Sequence, residues 1–105
     1  MVDMIVEYIR YKIENDIQRG EFESSYKRAE TSLKISSHCL GYELSHCSED
    51  SNYYILRIEW DSLEGHLKGF RSSPDFKSFF TEVQPFLDNI EEMRHYEVTS
   101  VKGKK

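Results

Sequence analysis

Residues 53–60 read Tyr53-Tyr54-Ile55-Leu56-Arg57-Ile58-Glu59-Trp60. Tyr54, Leu56, Ile58 and Trp60 share one parity, the period-two pattern of a strand with one side in a core. Tyr53 and Ile55 put apolar side chains on the other parity as well. A sheet face left to water should be polar in alternation, so this strand predicts a sheet covered on both faces.

Working upstream, Ser48-Glu49-Asp50-Ser51-Asn52 is turn chemistry, and His38-Cys39-Leu40-Gly41-Tyr42-Glu43-Leu44-Ser45-His46-Cys47 alternates again. Leu40, Tyr42, Leu44 and His46 fall on one parity, and the two segments make a hairpin. A first strand is expected from Met4 to Ile13, with Ile5, Ile9, Tyr11 and Ile13 on one side and Val6, Tyr8 and Arg10 on the other. Asn15 offers a helix cap, and Phe22, Tyr26, Ala29 and Leu33 recur at helical spacing. The spacing predicts a helix from Asp16 to Ser36, despite Gly20 at a cost of about 1 kcal/mol.

Downstream, Asp61 and Glu64 have capping-box spacing for a short helix bearing Leu63, Leu67 and Phe70. Ser73-Pro74 then opens a helix carrying Phe76, Phe79, Phe80 and Val83, ending near Pro85. Glu91 to Thr99 reads as the last strand. The order strand, helix, strand, strand, helix, strand predicts an α+β, ferredoxin-like βαββαβ sandwich with a four-stranded antiparallel sheet, residues 1–105 forming one domain with 101–105 as a flexible tail. Two helices cover one sheet face. A second copy of the sheet is the simplest cover for the other, so a homodimer is expected, with Arg57, Glu59, Glu43 and His95 in a charge network at its interface.

Composition narrows the partners. With 38% hydrophobic and 31% charged residues the chain should fold and dissolve, and a net charge of -5 argues against nucleic acid. No apolar run approaches the roughly 18 residues of a membrane span. Asp3 and Glu7 near the start do not resemble the basic flank of a signal peptide. The two His-Cys pairs, His38-Cys39 and His46-Cys47, suggest a metal site until spacing is considered: on a strand the cysteines would lie roughly 26 Å apart. Neither a shared zinc nor an intrachain disulfide spans that distance, so no metal, no cofactor and reduced cytoplasmic thiols are expected.

Strand residues Tyr54-Ile55-Leu56-Arg57-Ile58-Glu59-Trp60, then Ser62-Leu63-Glu64-Gly65-His66 and Arg71-Ser72-Ser73-Pro74-Asp75-Phe76, together resemble the antibiotic biosynthesis monooxygenase family over nearly the whole chain. The resemblance implies a dimeric α/β barrel with a pocket in each subunit between sheet and helices. It also implies oxidation of polycyclic phenols by dioxygen without metal or flavin, or haem degradation, or no assigned reaction. The phenol oxidisers place an asparagine four residues before the strand tryptophan, where this chain has Leu56, and the family's frequent histidine four residues before the Ser-Pro proline is Phe70. Haem degraders carry a second-helix histidine near the place of Phe80 and a first-strand asparagine, neither of which is present.

The expected pocket residues are Trp60, Tyr54, Leu56, Tyr26, Phe70, Phe76 and Phe80, suited to a small apolar or aromatic ligand. His66, the histidine nearest the inferred mouth, is the candidate to take a phenolic proton, although a lone helix histidine commonly faces water. Two functions fit: a cofactor-independent monooxygenase or related oxidoreductase, or a dimeric module of the same fold that binds a small molecule or protein partner without turnover.

Overall fold

The strand that ends in Trp60 lies inside the sheet. In the computed structural model, which describes residues 4–105, the strands are β1 (Ile5–Lys12), β2 (Cys39–His46), β3 (Tyr53–Trp60) and β4 (Ile90–Glu97), in the order β2-β3-β1-β4 with β1 antiparallel to both β3 and β4 and β2 antiparallel to β3. Asp3, used in the signal-peptide reading, lies outside the described residues. Helix α1 (Asp16–Ile35) follows β1 and helix α2 (Pro74–Val83) precedes β4, giving the expected ferredoxin-like order. Among the described residues no helix is long and apolar enough to cross a membrane.

Local chemistry explains the helix boundaries. The Asn15 side chain accepts from the amides of Ile17 and Gln18, at 2.9 and 3.1 Å, so two of the orphan donors at the start of α1 are satisfied. Phe22, Tyr26, Ala29 and Leu33 then bury the predicted stripe against the sheet. At α2, Ser73 caps the amide of Phe76 at 3.3 Å and Pro74 takes the first helical position. The core joins Phe22, Tyr26 and Leu33 of α1 to Ile5, Ile9 and Tyr11 of β1, Tyr54, Leu56, Ile58 and Trp60 of β3, and Phe79 and Val83 of α2. The Tyr11 and Tyr26 hydroxyls bond to one another inside it.

Three places depart from the expected pattern. In β2 the register slips between Cys39 and Gly41, so Leu40 sits in a bulge and is 57% exposed, while Cys39, Tyr42 and Leu44 pack on the core. Between Trp60 and α2 the chain forms a π-helical turn, Gly65–Phe70, closed in part by the Arg71 amide on the His66 carbonyl. Its wider turn buries Gly65, His66 and Phe70 and leaves Leu63 and Leu67 exposed, which overturns the apolar face expected from a spacing of 3.6. Its capping also differs: Ser62 accepts from the Gly65 amide at 2.8 Å, and Asp61 holds His38 instead. In β4 a bulge at Glu91 resets the parity, so that His95 lies opposite Glu7 and points toward the helices, not into an outer-face network.

On the outer face, Arg57 pairs with Glu59 and donates to the Tyr8 hydroxyl at 3.2 Å, Arg10 lies 4.3 Å over the Tyr53 ring, and Tyr8 meets Tyr96 edge-on. These charges are therefore partnered within one chain. Cys39 and Cys47 are free thiols at the two ends of β2.

The π-turn depends on two glycines. A Cβ on Gly69 would overlap the His38 ring, and one on Gly65 would lie 2.9 Å from His38 Nδ1 and overlap the Asp61 carboxylate. Gly69→Ala is therefore expected to destabilise by about 1 kcal/mol or more in urea unfolding, since the ring must leave Asp61. In a His38→Ala background the same change should stabilise by up to about 1 kcal/mol, because alanine suits a helix better than glycine. The same sign in both backgrounds would refute the His38 clash.

Candidate functional site

Glu7 occupies the inward parity of β1, between Ile5 and Ile9, and is buried to 3% exposure. A carboxylate there must find a partner or stay protonated. Trp60, diagonal to it on β3, supplies its indole N–H: Nε1 donates to Glu7 Oε1 at 3.1 Å. The π-turn brings His66 over the same spot, stacked on the Trp60 ring at 4.3 Å between centroids, with the Phe70 ring also against Trp60 at 5.0 Å. His66 Nε2 lies 3.5 Å from Glu7 Oε1, and His66 Nδ1 shares a 2.8 Å hydrogen bond with His95 Nε2. His95 Nε2 is in turn 3.8 Å from Glu7 Oε2.

Glu7 and His66 of this polar group line a cavity of about 260 Å³ between the sheet and α2. Ile9, Ile58, Trp60, Phe70, Phe76 and Phe80 supply much of its apolar wall, and Tyr11, Tyr26, Phe79 and Met93 also reach it. Arg71, exposed at the surface, contributes the one cationic group of the lining. The volume sits just below the range of about 300–1,000 Å³ usual for ligand pockets, which suits a small flat ring system.

Burial sets the charges. Desolvation raises the Glu7 carboxyl above its ordinary range, partly offset by the Trp60 hydrogen bond and the charge of Arg71. Desolvation pushes the His66 imidazole down to about 4, helped by His95 and Arg71, and lowers His95 as well. Both imidazoles are thus neutral near pH 7. Desolvation also raises Tyr11 to about 12, despite the bond from Tyr26, so that hydroxyl stays protonated. Glu7, His66 and His95 each offer one donor atom within 4.8 Å of the others, and among the described residues they are the set able to hold a metal ion.

Of the residues expected from sequence, Trp60, Tyr26, Phe70, Phe76 and Phe80 line this cavity together with His66. Tyr54 and Leu56 do not. They share the inward parity of β3 but lie farther along it: the Tyr54 hydroxyl donates to Glu23, its ring stacks on His46, and Leu56 lines a separate groove between α1 and β2. His66 is buried to 3%, not facing water, and its two ring nitrogens are turned to Glu7 and His95 instead of the open cavity. Glu7 and His95 were missed. Glu7 had a signal, a carboxylate on an otherwise apolar parity, whereas the orientation of His95 follows from the β4 bulge.

The chain matches the family model described as antibiotic biosynthesis monooxygenase over residues 4–82. An uncharacterized protein of Bacillus subtilis (strain 168), YczJ, is 27% identical over 77 residues, 73% of this chain and 81% of that protein. Among solved structures, a putative antibiotic biosynthesis monooxygenase from Bordetella bronchiseptica superposes with a TM-score of 0.74 at 22% identity, covering 95% of this chain and 99% of the other. SnoaB, a cofactor-independent oxygenase from Streptomyces nogalater, gives 0.71 at 16% identity over 96% of each chain.

The Glu7–Trp60 bond makes a stability prediction. Trp60→Phe keeps an aromatic ring but strands the carboxylate, and should cost about 1–3 kcal/mol in urea unfolding. In a Glu7→Leu background most of that cost should vanish. Equal losses in both backgrounds would mean that packing alone accounts for Trp60.

Proposed function

Because the chain belongs to the antibiotic biosynthesis monooxygenase family, we propose that it oxidises a small flat aromatic molecule, held in the cavity beside Trp60 and Phe70, with dioxygen as oxidant. The observation that carries this reading is a cavity walled by aromatic and aliphatic side chains that ends on a buried carboxylate. The apolar wall stacks a ring and excludes water, and Glu7 accepts the hydrogen bond of a ring hydroxyl.

The hydroxyl proton passes to the Glu7 carboxylate, leaving an electron-rich aryl oxide to react with dioxygen. One oxygen atom ends as a new ring carbonyl and the other leaves as water, taking two hydrogens from the substrate, so the substrate supplies the electrons and a phenol becomes a quinone. Trp60 and the His66 stacked on it both reach Glu7 Oε1, and His66 is braced by His95. His66 is in this reading a positioning residue. The protein works in the cytoplasm, with Cys39 and Cys47 reduced.

Oxygen uptake with a panel of hydroxylated polycyclic aromatics, in buffer without flavin, tests the proposal. Turnover is expected, and Glu7→Gln should lower it by about a hundredfold or more with little change in melting temperature. A second reading is favoured by Leu56, which stands where the resemblance expects the asparagine of phenol oxidisers. In that reading the chain only binds its ligand: aromatic compounds would quench Trp60 fluorescence with no oxygen consumed.

The same proposal includes a second copy of the chain on the outer sheet face. Val6 is buried there while Tyr8 and Tyr96 stay exposed and Ile55 half-buried, an apolar patch with its charges already paired. Sedimentation at micromolar concentration should give a dimer that persists in high salt, because apolar contact is not screened. A monomer would refute it.

A further inference from the structure

We propose that Glu7, His66 and His95 form a binding site for one divalent first-row transition-metal ion. The expectation of no metal was drawn from the His-Cys pairs of β2, and it does not touch this set, whose members come from β1, the π-turn and β4 and meet only in the fold.

The geometry is close to a coordination shell. With metal–ligand bonds of about 2.1 Å, neighbouring donors sit about 3.0 Å apart at right angles and about 3.4 Å apart at the tetrahedral angle. The observed separations are 2.8 Å between His66 Nδ1 and His95 Nε2, 3.5 Å between His66 Nε2 and Glu7 Oε1, and 3.8 Å between His95 Nε2 and Glu7 Oε2. The first two separations use different His66 nitrogens, of which a metal takes one; with one donor atom from each residue the set lies within 4.8 Å, so a contraction of up to about 1.5 Å brings the three onto a common centre.

Charge and access point the same way. Among the described residues, the only side chain that donates a hydrogen bond to the buried Glu7 carboxylate is the neutral Trp60 indole. A cation held between carboxylate and imidazoles would compensate a charge that is otherwise expensive to bury. Arg71 lines the cavity too, but it is exposed, so water and salt screen its repulsion. Two imidazoles and one carboxylate are a donor set for iron(II) and its neighbours rather than for calcium or magnesium, which take oxygen ligands. Glu7 and His66 also line the cavity, so an ion held by the three would lie beside space for a further ligand, unlike a closed structural site.

The inference stands apart from the oxidation proposed above, since it is tested with no substrate present. Untagged protein stripped with chelator is titrated with Co²⁺ and with Zn²⁺ in a calorimeter, and the Co²⁺ complex is read by its visible absorption. One ion per chain is expected, with an absorption band of nitrogen-ligated cobalt. His95→Ala and Glu7→Gln should each weaken binding by at least about tenfold, since even loss of an outer-shell partner costs that much, while His46→Ala, on the exposed end of β2, should change nothing. Glu7→Gln keeps the shape of the side chain, so it carries the test if His95→Ala folds poorly. The absence of saturable binding, or binding left intact by both substitutions, would overturn the site and leave the three residues as a hydrogen-bonded cluster.

Discussion

A carboxylate in an apolar core is the constraint around which this molecule is arranged. Glu7 sits in the central strand β1, between the strands that carry Trp60 and His95, and at 3% exposure it is almost wholly removed from bulk water. Taking such a group out of water costs several kcal/mol unless partners replace the lost hydration. The partners must therefore be fixed, and each comes from a different element: the indole N–H from the end of β3, one imidazole from the π-turn and a second from β4. Trp60 satisfies Glu7 with its nitrogen while its ring supports His66 and Phe70, so one side chain joins the polar end of the cavity to its apolar wall.

The π-turn follows from the same requirement. In an α-helical turn after Trp60, Leu63, His66, Leu67 and Phe70 would stand at i, i+3, i+4 and i+7 and share one face, leucines included. The extra residue per turn rotates His66 and Phe70 inward together, at the cost of exposing two leucines. Gly65 and Gly69 permit the packing because their missing side chains leave room for His38 and Asp61, whose 3.0 Å contact ties the turn to the start of β2. Exposed leucines beside a buried histidine are a local inconsistency of the kind that marks a functional site, where packing has been given up for geometry.

How much of this was legible follows from where each signal resides. The alternation in residues 53–60, the Asn15 and Ser73 caps and the stripe from Phe22 to Leu33 are carried by near neighbours, and strand order, helix order and the inward face of β3 could be read from them. Parity counting fails at irregularities. Parity groups Leu40 with Tyr42 and Leu44, but a bulge set by the partner strand turns it out, while His95 reads as an outer-face charge from its charged neighbours and the pairing with β1 turns it inward. Tyr54 and Leu56 were assigned to the right face but the wrong part of it, since parity says which side a residue faces and not how far along the strand the cavity extends. Glu7 was the signal passed over: a single acid among Ile5, Ile9 and Tyr11 looks like noise in a hydrophobic pattern, yet a charge on a buried parity is the observation least explained by packing.

The two faces of the sheet deal with charge in opposite ways, and the difference separates structure from function. On the outer face Arg57 answers Glu59 and the Tyr8 hydroxyl, so these groups meet complementary partners and that part of the surface can approach an apolar partner at low electrostatic cost. On the inner face the acid meets only groups that carry no full charge, an indole N–H and two imidazoles, beside an apolar cavity. A fold seeking only stability would replace that acid with a leucine. Retaining the acid, with an indole and two histidines arranged to hold it, is intelligible if something enters the cavity that needs an acceptor or a ligand there. A phenolic hydroxyl and a divalent cation both meet that need, and they do so at the same carboxylate oxygens, so whichever occupies Glu7 decides what else the cavity can take.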